Sequence, residues 1–108
     1  MTYKVIIQGP AEADAVEYAE YIIRQENDDE RAKIWLRELE GMIFSLSEMP
    51  RRFLVIDEQS HFAIELRQFL HYSHRVIFHV DETKNEVHVL RIYHARRDKL
   101  QVSDITKI

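Results

Sequence analysis

Apolar positions change their spacing along this chain, and each change marks an element. Tyr3-Lys4-Val5-Ile6-Ile7 is β-branched and aromatic and runs into the breaker pair Gly9-Pro10, which predicts a short first strand. From residue 11 to about residue 25, Ala15, Val16, Ala19, Ile22 and Ile23 recur at steps of three and four, with Glu12, Asp14, Glu17 and Glu20 between them. That spacing predicts an amphipathic helix with a solvated acidic back. Asn27-Asp28-Asp29-Glu30 then supplies capping side chains and first-turn carboxylates for the free N–H groups of a second helix. Its apolar stripe is Trp35, Leu39, Met42, Ile43 and Leu46, and it ends before Pro50. So short a connection folds the two helices into an antiparallel hairpin.

Periodicity is lost over residues 51–60, which predicts a loop leading to a strand at about residues 62–69. Two stronger strands follow, Ser73-His74-Arg75-Val76-Ile77-Phe78-His79-Val80 and Glu86-Val87-His88-Val89-Leu90-Arg91-Ile92-Tyr93-His94. The polar residues 81–85 between them make a hairpin. A loop of four residues and a loop of five put different side chains on one face, and the sequence leaves that register open. The class is therefore α+β: an N-terminal strand, a two-helix antiparallel hairpin, then three antiparallel strands. The economical architecture is a mostly antiparallel sheet with the helices on one face and the other face partly open.

Length and composition narrow the function. A chain of 108 residues has room for one domain and one modest core, so residues 1–108 are read as a single domain. With 45% hydrophobic and 31% charged residues and few Gly or Pro, the composition is globular. The absence of Cys excludes a disulfide framework and a thiolate zinc site and fits a reducing compartment, so the cytoplasm is expected. Residues 1–8 lack the basic and apolar blocks of a signal peptide, and no apolar run is long enough to span a bilayer. A net charge of −4 argues against a whole-surface nucleic-acid binder, but the two halves differ in sign. Residues 1–50 hold 5 Lys/Arg against 11 Asp/Glu, whereas residues 51–108 hold 10 against 8 together with all six His. An anionic partner is expected at the second half.

Two local patterns there carry a resemblance. His74-Arg75-Val76-Ile77-Phe78-His79-Val80 and Val89-Leu90-Arg91-Ile92-Tyr93-His94-Ala95-Arg96-Arg97-Asp98, after a two-helix start closed by Leu46 and Met49-Pro50, resemble the RelE/ParE toxin superfamily over nearly the whole chain. The resemblance implies the toxin component of a type II toxin-antitoxin, or plasmid stabilisation, system. It also implies one of two activities: RelE-like members are messenger RNA interferases that cut in the ribosome, and ParE-like members are DNA gyrase inhibitors. Both are neutralised by a cognate antitoxin.

Cutting RNA by its own 2'-OH needs a base, an acid and a cation for the phosphate. For a ribonuclease, the resemblance gives Arg75 and Arg97 as phosphate-stabilising residues and His94 as a proton-transfer residue. Glu65 is a candidate base, or else an ion-pair partner of Arg67 or Arg75. Without the resemblance, Arg75, His94 and Arg97 read more simply as surface or sheet-end residues in salt bridges. The chain departs from the nuclease pattern twice. Phe62-Ala63-Ile64-Glu65-Leu66-Arg67 has none of the lysines that some nuclease members carry, and no late Tyr follows Arg97. The leading expectation is therefore a ParE-like protein that binds gyrase through Arg96, Arg97 and Lys99, a basic run that also reads as a solvated tail. A RelE-like ribosome-dependent endoribonuclease and a non-toxic partner-binding domain are the alternatives. His79 and His88 are candidates to face each other across the hairpin, but no helical His pair with a third ligand accompanies them, so no metal and no cofactor are expected. An antitoxin is the expected partner, no membrane is implied, and a homodimer is neither required nor excluded.

Overall fold

The computed structural model describes residues 2–96 and 99–105. Strand β1 (Lys4–Ile7) leads into helix α1 (Gly9–Glu26), where Pro10 sits in the first turn and its missing N–H costs nothing. Asn27, in the left-handed conformation at φ 50°, stops α1. Helix α2 (Asp29–Phe44) starts on the carboxylate of Asp28, which accepts the backbone N–H of Arg31 at 2.9 Å. Strands β2 (Arg67–His71), β3 (His74–Asp81) and β4 (Glu86–His94) complete the chain's regular elements.

The sheet runs β1-β4-β3-β2, with β1 parallel to β4 and the remaining pairs antiparallel. This is the α+β order expected from the sequence. The hairpin loop is four residues long, since Asp81 pairs with Glu86. The Asp81 carboxylate accepts the N–H groups of Thr83 and Lys84, and Asn85 supplies the left-handed residue at φ 54°.

Strand β2 starts later than the expected residues 62–69. Gln59 is the reason: its side chain binds the carbonyl of Ile64 at 2.7 Å and the N–H of Leu66 at 2.6 Å. Backbone groups that would have joined the ladder are thus satisfied by a glutamine in a 3-10 turn (Asp57–His61).

The helices pack on one face through a core that includes Ala19, Ile22, Trp35, Leu39, Ile43, Phe69, Val76, Phe78, Val89 and Ile92. On α1 the buried face runs through Ala11, Ala15, Tyr18, Ala19 and Ile22, while Val16 and Ile23 are 49% and 40% exposed. The expected stripe was thus rotated too far, because alanines admit the closest approach to the sheet and so set the contact face. Met42 is likewise exposed on α2. The far face of the sheet, expected to be partly open, carries a second core of Ile56, Leu66, Ile77, Leu90, Tyr93 and Leu100, all buried. The loop before β2 and the segment after β4 supply its cover.

Truncating the two α1 positions separates these faces. Ile22→Ala should lower stability by about 2–5 kcal/mol, and Val16→Ser should change it by less than about 0.5 kcal/mol, as read from urea midpoints. Equal losses would contradict the assigned face.

Candidate functional site

Neighbouring residues of a strand point to opposite faces, so at the start of β3 His74 turns towards the helices and Arg75 away from them. Two separate environments result.

On the far face, Arg75 makes a bidentate pair with Glu58, with nitrogen–oxygen distances of 2.8 and 2.9 Å, and its Nε donates to Gln68 Oε1 at 2.7 Å. Glu58 also accepts the N–H of Leu100 at 2.9 Å, which ties the segment after β4 to the loop before β2. Both partners are shielded, the Glu58 side chain being 4% exposed and that of Arg75 14%. Burial opposes the Glu58 charge, but hydrogen bonds from Arg75 and Leu100 and the Arg75 charge outweigh it and hold the carboxyl at about 2. Beside the pair lies a cleft of about 250 Å³, with Asp57, Leu70, Ala95 and Lys99 in its wall.

On the helix face, His74 is enclosed by rings: Tyr18 at 4.1 Å, His94 at 5.1 Å and Trp35 at 5.4 Å between centroids. It is 4% exposed and its Nδ1 has no hydrogen-bond partner. His71 caps the same group, its Nε2 lying 3.1 Å from the carbonyl of Trp35. His94 Nδ1 accepts the backbone N–H of Arg96 at 3.1 Å, which leaves the proton of the neutral ring on Nε2.

The structure does not bring the sequence-predicted set together. Arg75 and His94 lie on opposite faces of the sheet, since the His94 ring meets that of His74. Glu65 pairs with Arg67 at 3.0 Å, the ion-pair alternative, and its carbonyl lies 2.8 Å from His79 Nδ1. Arg96 is exposed in the turn after β4, and Lys99 is exposed at the far-face cleft. Arg97 lies outside the described residues. His79 and His88 are register partners across the hairpin. Among the described residues, Asp81, Glu86 and His88 are the group with metal-ligand spacing, their donor atoms all within 4.8 Å. Both nitrogens of His88 are already engaged, Nδ1 by Gln8 at 2.8 Å and Nε2 by Glu86 at 3.0 Å.

Comparison with known proteins decides the family. The model for the ParE toxin of the type II toxin-antitoxin system parDE matches residues 5–99. The chain belongs to the ParE toxin family. It is a type II toxin component, and its fold agrees with solved toxins. The chromosomal ParDE system of P. aeruginosa superposes with a TM-score of 0.71 at 14% identity, over 88% of this chain and 98% of that one. The RelBE2 complex of Mycobacterium tuberculosis gives 0.61 at 18%, over 87% and 99%. The free RelE mutant of E. coli gives 0.54 at 17%, over 89% and 86%. No curated protein sequence matches.

Three residues that organise this ParE-family chain were not singled out from its sequence. Glu58 sits in an aperiodic segment that offers no signal. Trp35 was placed in the core, but nothing linked it to His71 and His74. Asp14 was placed on the solvated back of α1, yet its carboxylate binds the Arg91 guanidinium at 2.8 and 2.9 Å and the N–H of Ile92 at 2.9 Å. It stands three residues after Ala11 and four before Tyr18, in phase with the buried face, and that spacing was a usable signal.

Two stability measurements test these environments. Burial, followed by the charges of His94 and His71, outweighs the opposite effect of Asp14 and pushes His74 from 6.5 down to about 4. The unfolded chain therefore takes up this proton first as pH falls. The associated stability is complete above pH 6.5 and is lost towards pH 4, about 3 kcal/mol in all. His74→Phe should flatten the urea midpoint against pH in that window, and an unchanged slope would assign the titration elsewhere. Glu58→Gln should cost about 3 kcal/mol by leaving Arg75 shielded and unpaired. Adding Arg75→Met should recover at least about 1 kcal/mol of that loss, and no recovery would show that the pair is not the unit that matters.

Proposed function

We propose that this toxin acts by binding its target rather than by cutting RNA, and that the target is DNA gyrase. The reading is carried by one observation: Arg75, the strand cation a nuclease would need, is neutralised by Glu58 and separated from His94 by the sheet. A phosphate arriving at Arg75 would have to displace a buried carboxylate that makes two hydrogen bonds to it and a third to Leu100. A binding toxin needs no such exchange. It needs only a presented surface, and the exposed Arg96 and Lys99 after β4 are the residues assigned to it in this reading, together with Arg97, which lies outside the described residues.

The partner that neutralises it is an antitoxin whose amphipathic helix enters the groove between α1 and α2. This groove, about 340 Å³, has Ala15, Val16, Leu36 and Phe44 among its lining residues. Val16 and Phe44 are 49% and 61% exposed, an apolar edge that a docked helix would cover. The likeness to toxins solved in ParDE and RelBE systems supports such a partner.

Expression of the chain alone in a bacterial host tests the target. Growth arrest with gyrase-dependent DNA breaks and intact messenger RNA is expected, and His94→Ala should leave the arrest in place. Cleaved messenger RNA with intact DNA would replace this reading with a ribosome-dependent endoribonuclease. Normal growth with soluble, folded protein would leave a partner-binding domain without toxicity.

A further inference from the structure

On the helix side a cleft of about 390 Å³ opens between α1 and the end of β4. Neither the target nor the antitoxin reading makes use of it. Its wall combines a flat aromatic face, an unpaired carboxylate and a nearly buried, unbonded histidine. We propose that this cleft receives an arginine side chain from a protein partner, with the guanidinium against Tyr21, paired with Glu17 and donating to His74.

The aromatic face comes from Tyr18 and Tyr21, whose rings stack at 5.7 Å with 21° between their planes. Tyr21 is 46% exposed, so its ring is available to a planar cation. Charge is supplied by α1. Asp14, also in the wall, is already neutralised by Arg91, whereas Glu17 has no ion pair or hydrogen bond among the described residues. Glu12 and Glu20, outside the cleft wall, adjoin Glu17 on the same helix, and among the described wall residues Arg24 is the cation that opposes them. The local field therefore favours a cation over a phosphate.

The second line of support is His74. It forms no hydrogen bond among the described residues although it is 4% exposed, and a shielded polar ring left unsatisfied is costly. Nδ1 itself is closed to solvent, so a donor entering the cleft would bond the ring at Nε2. Burial keeps the ring neutral at pH 7, so it retains a lone pair and does not repel a positive group. The requirement for a flat cation with donors in a fixed fork selects arginine over lysine, whose compact ammonium has no planar face to lay on the ring. The site does not depend on whether the toxin engages gyrase or a ribosome.

Acetyl-arginine-amide, titrated into the full chain and followed by NMR of the His and Tyr rings, tests the proposal. Saturable shifts at His74 and Tyr21 are expected, with a dissociation constant of about 1–10 mM for so small a probe. Glu17→Gln and Tyr21→Ala should each weaken binding by about fivefold or more, with an unchanged amide spectrum showing that both remain folded. The uncharged acetyl-citrulline-amide and the lysine analogue should bind at least about fivefold more weakly. The proposal is overturned by the absence of saturation, by equal binding of either analogue, or by indifference to Glu17→Gln. Tighter binding of free arginine would reassign the cleft to a small molecule, and tighter binding of adenosine monophosphate would reassign it to a nucleotide; each would overturn the partner-side-chain assignment.

Discussion

Between Val89 and Arg91, strand β4 carries one residue more than the strand it pairs with: Ile77 faces Arg91, Phe78 faces Val89, and Leu90 has no partner. A bulge of this kind reverses the alternation of every side chain beyond it. Before it, Val87 and Val89 point to the helices; after it, Ile92 and His94 do so instead of Arg91 and Tyr93. Were Leu90 paired regularly instead of bulged, the helix face would receive Arg91 and lose Ile92. With the bulge, Tyr93 joins Leu90 in the far core and His94 reaches His74. The two packed faces and the His74 environment depend on that one insertion.

The same feature explains what could and could not be read from the sequence. Helix periods, the proline stop and the β-branched runs are local, and they located the helix hairpin and three of the four strands closely. The residue types at the sheet end were equally visible: Arg75 and His94 lie at one end of β3 and β4, with Arg96 and Lys99 following β4. Which face each occupies was hidden, because parity across a bulged hairpin cannot be counted from either end. Glu58 was hidden for another reason. Its role comes from meeting Arg75, seventeen positions away, in a segment where Gln59 rather than periodicity orders the backbone.

Charge shows how the two halves of the chain are joined. The acidic first half and the basic second half meet in the pair between Asp14 and Arg91, which is shielded and adds a bond to a strand-edge N–H. Arg51, Arg67 and Arg75 are likewise committed to Glu82, Glu65 and Glu58. These three pairs lie within the second half and leave its surplus unchanged, whereas the Asp14–Arg91 pair sets one of its positive charges against the first half. The exposed cations of this half include Arg52, Lys84, Arg96 and Lys99, which are spread over separate loops, so the sequence total is a poor guide to where an anionic surface would be met.

The parallel seating of β1 against β4 has a kinetic side. Lys4 lies against Glu86 and Ile7 against Val89, so the first strand of the chain finds its place only beside the last. A contact spanning so much chain carries a high loop-closure cost and forms late compared with the local helix hairpin. During synthesis α1 and α2 emerge early, with their apolar faces waiting for a sheet whose central strand has not been made. Neither candidate environment exists until that strand is in place. The sheet, and with it the closing of the core, therefore waits on the strand that is made last among the four.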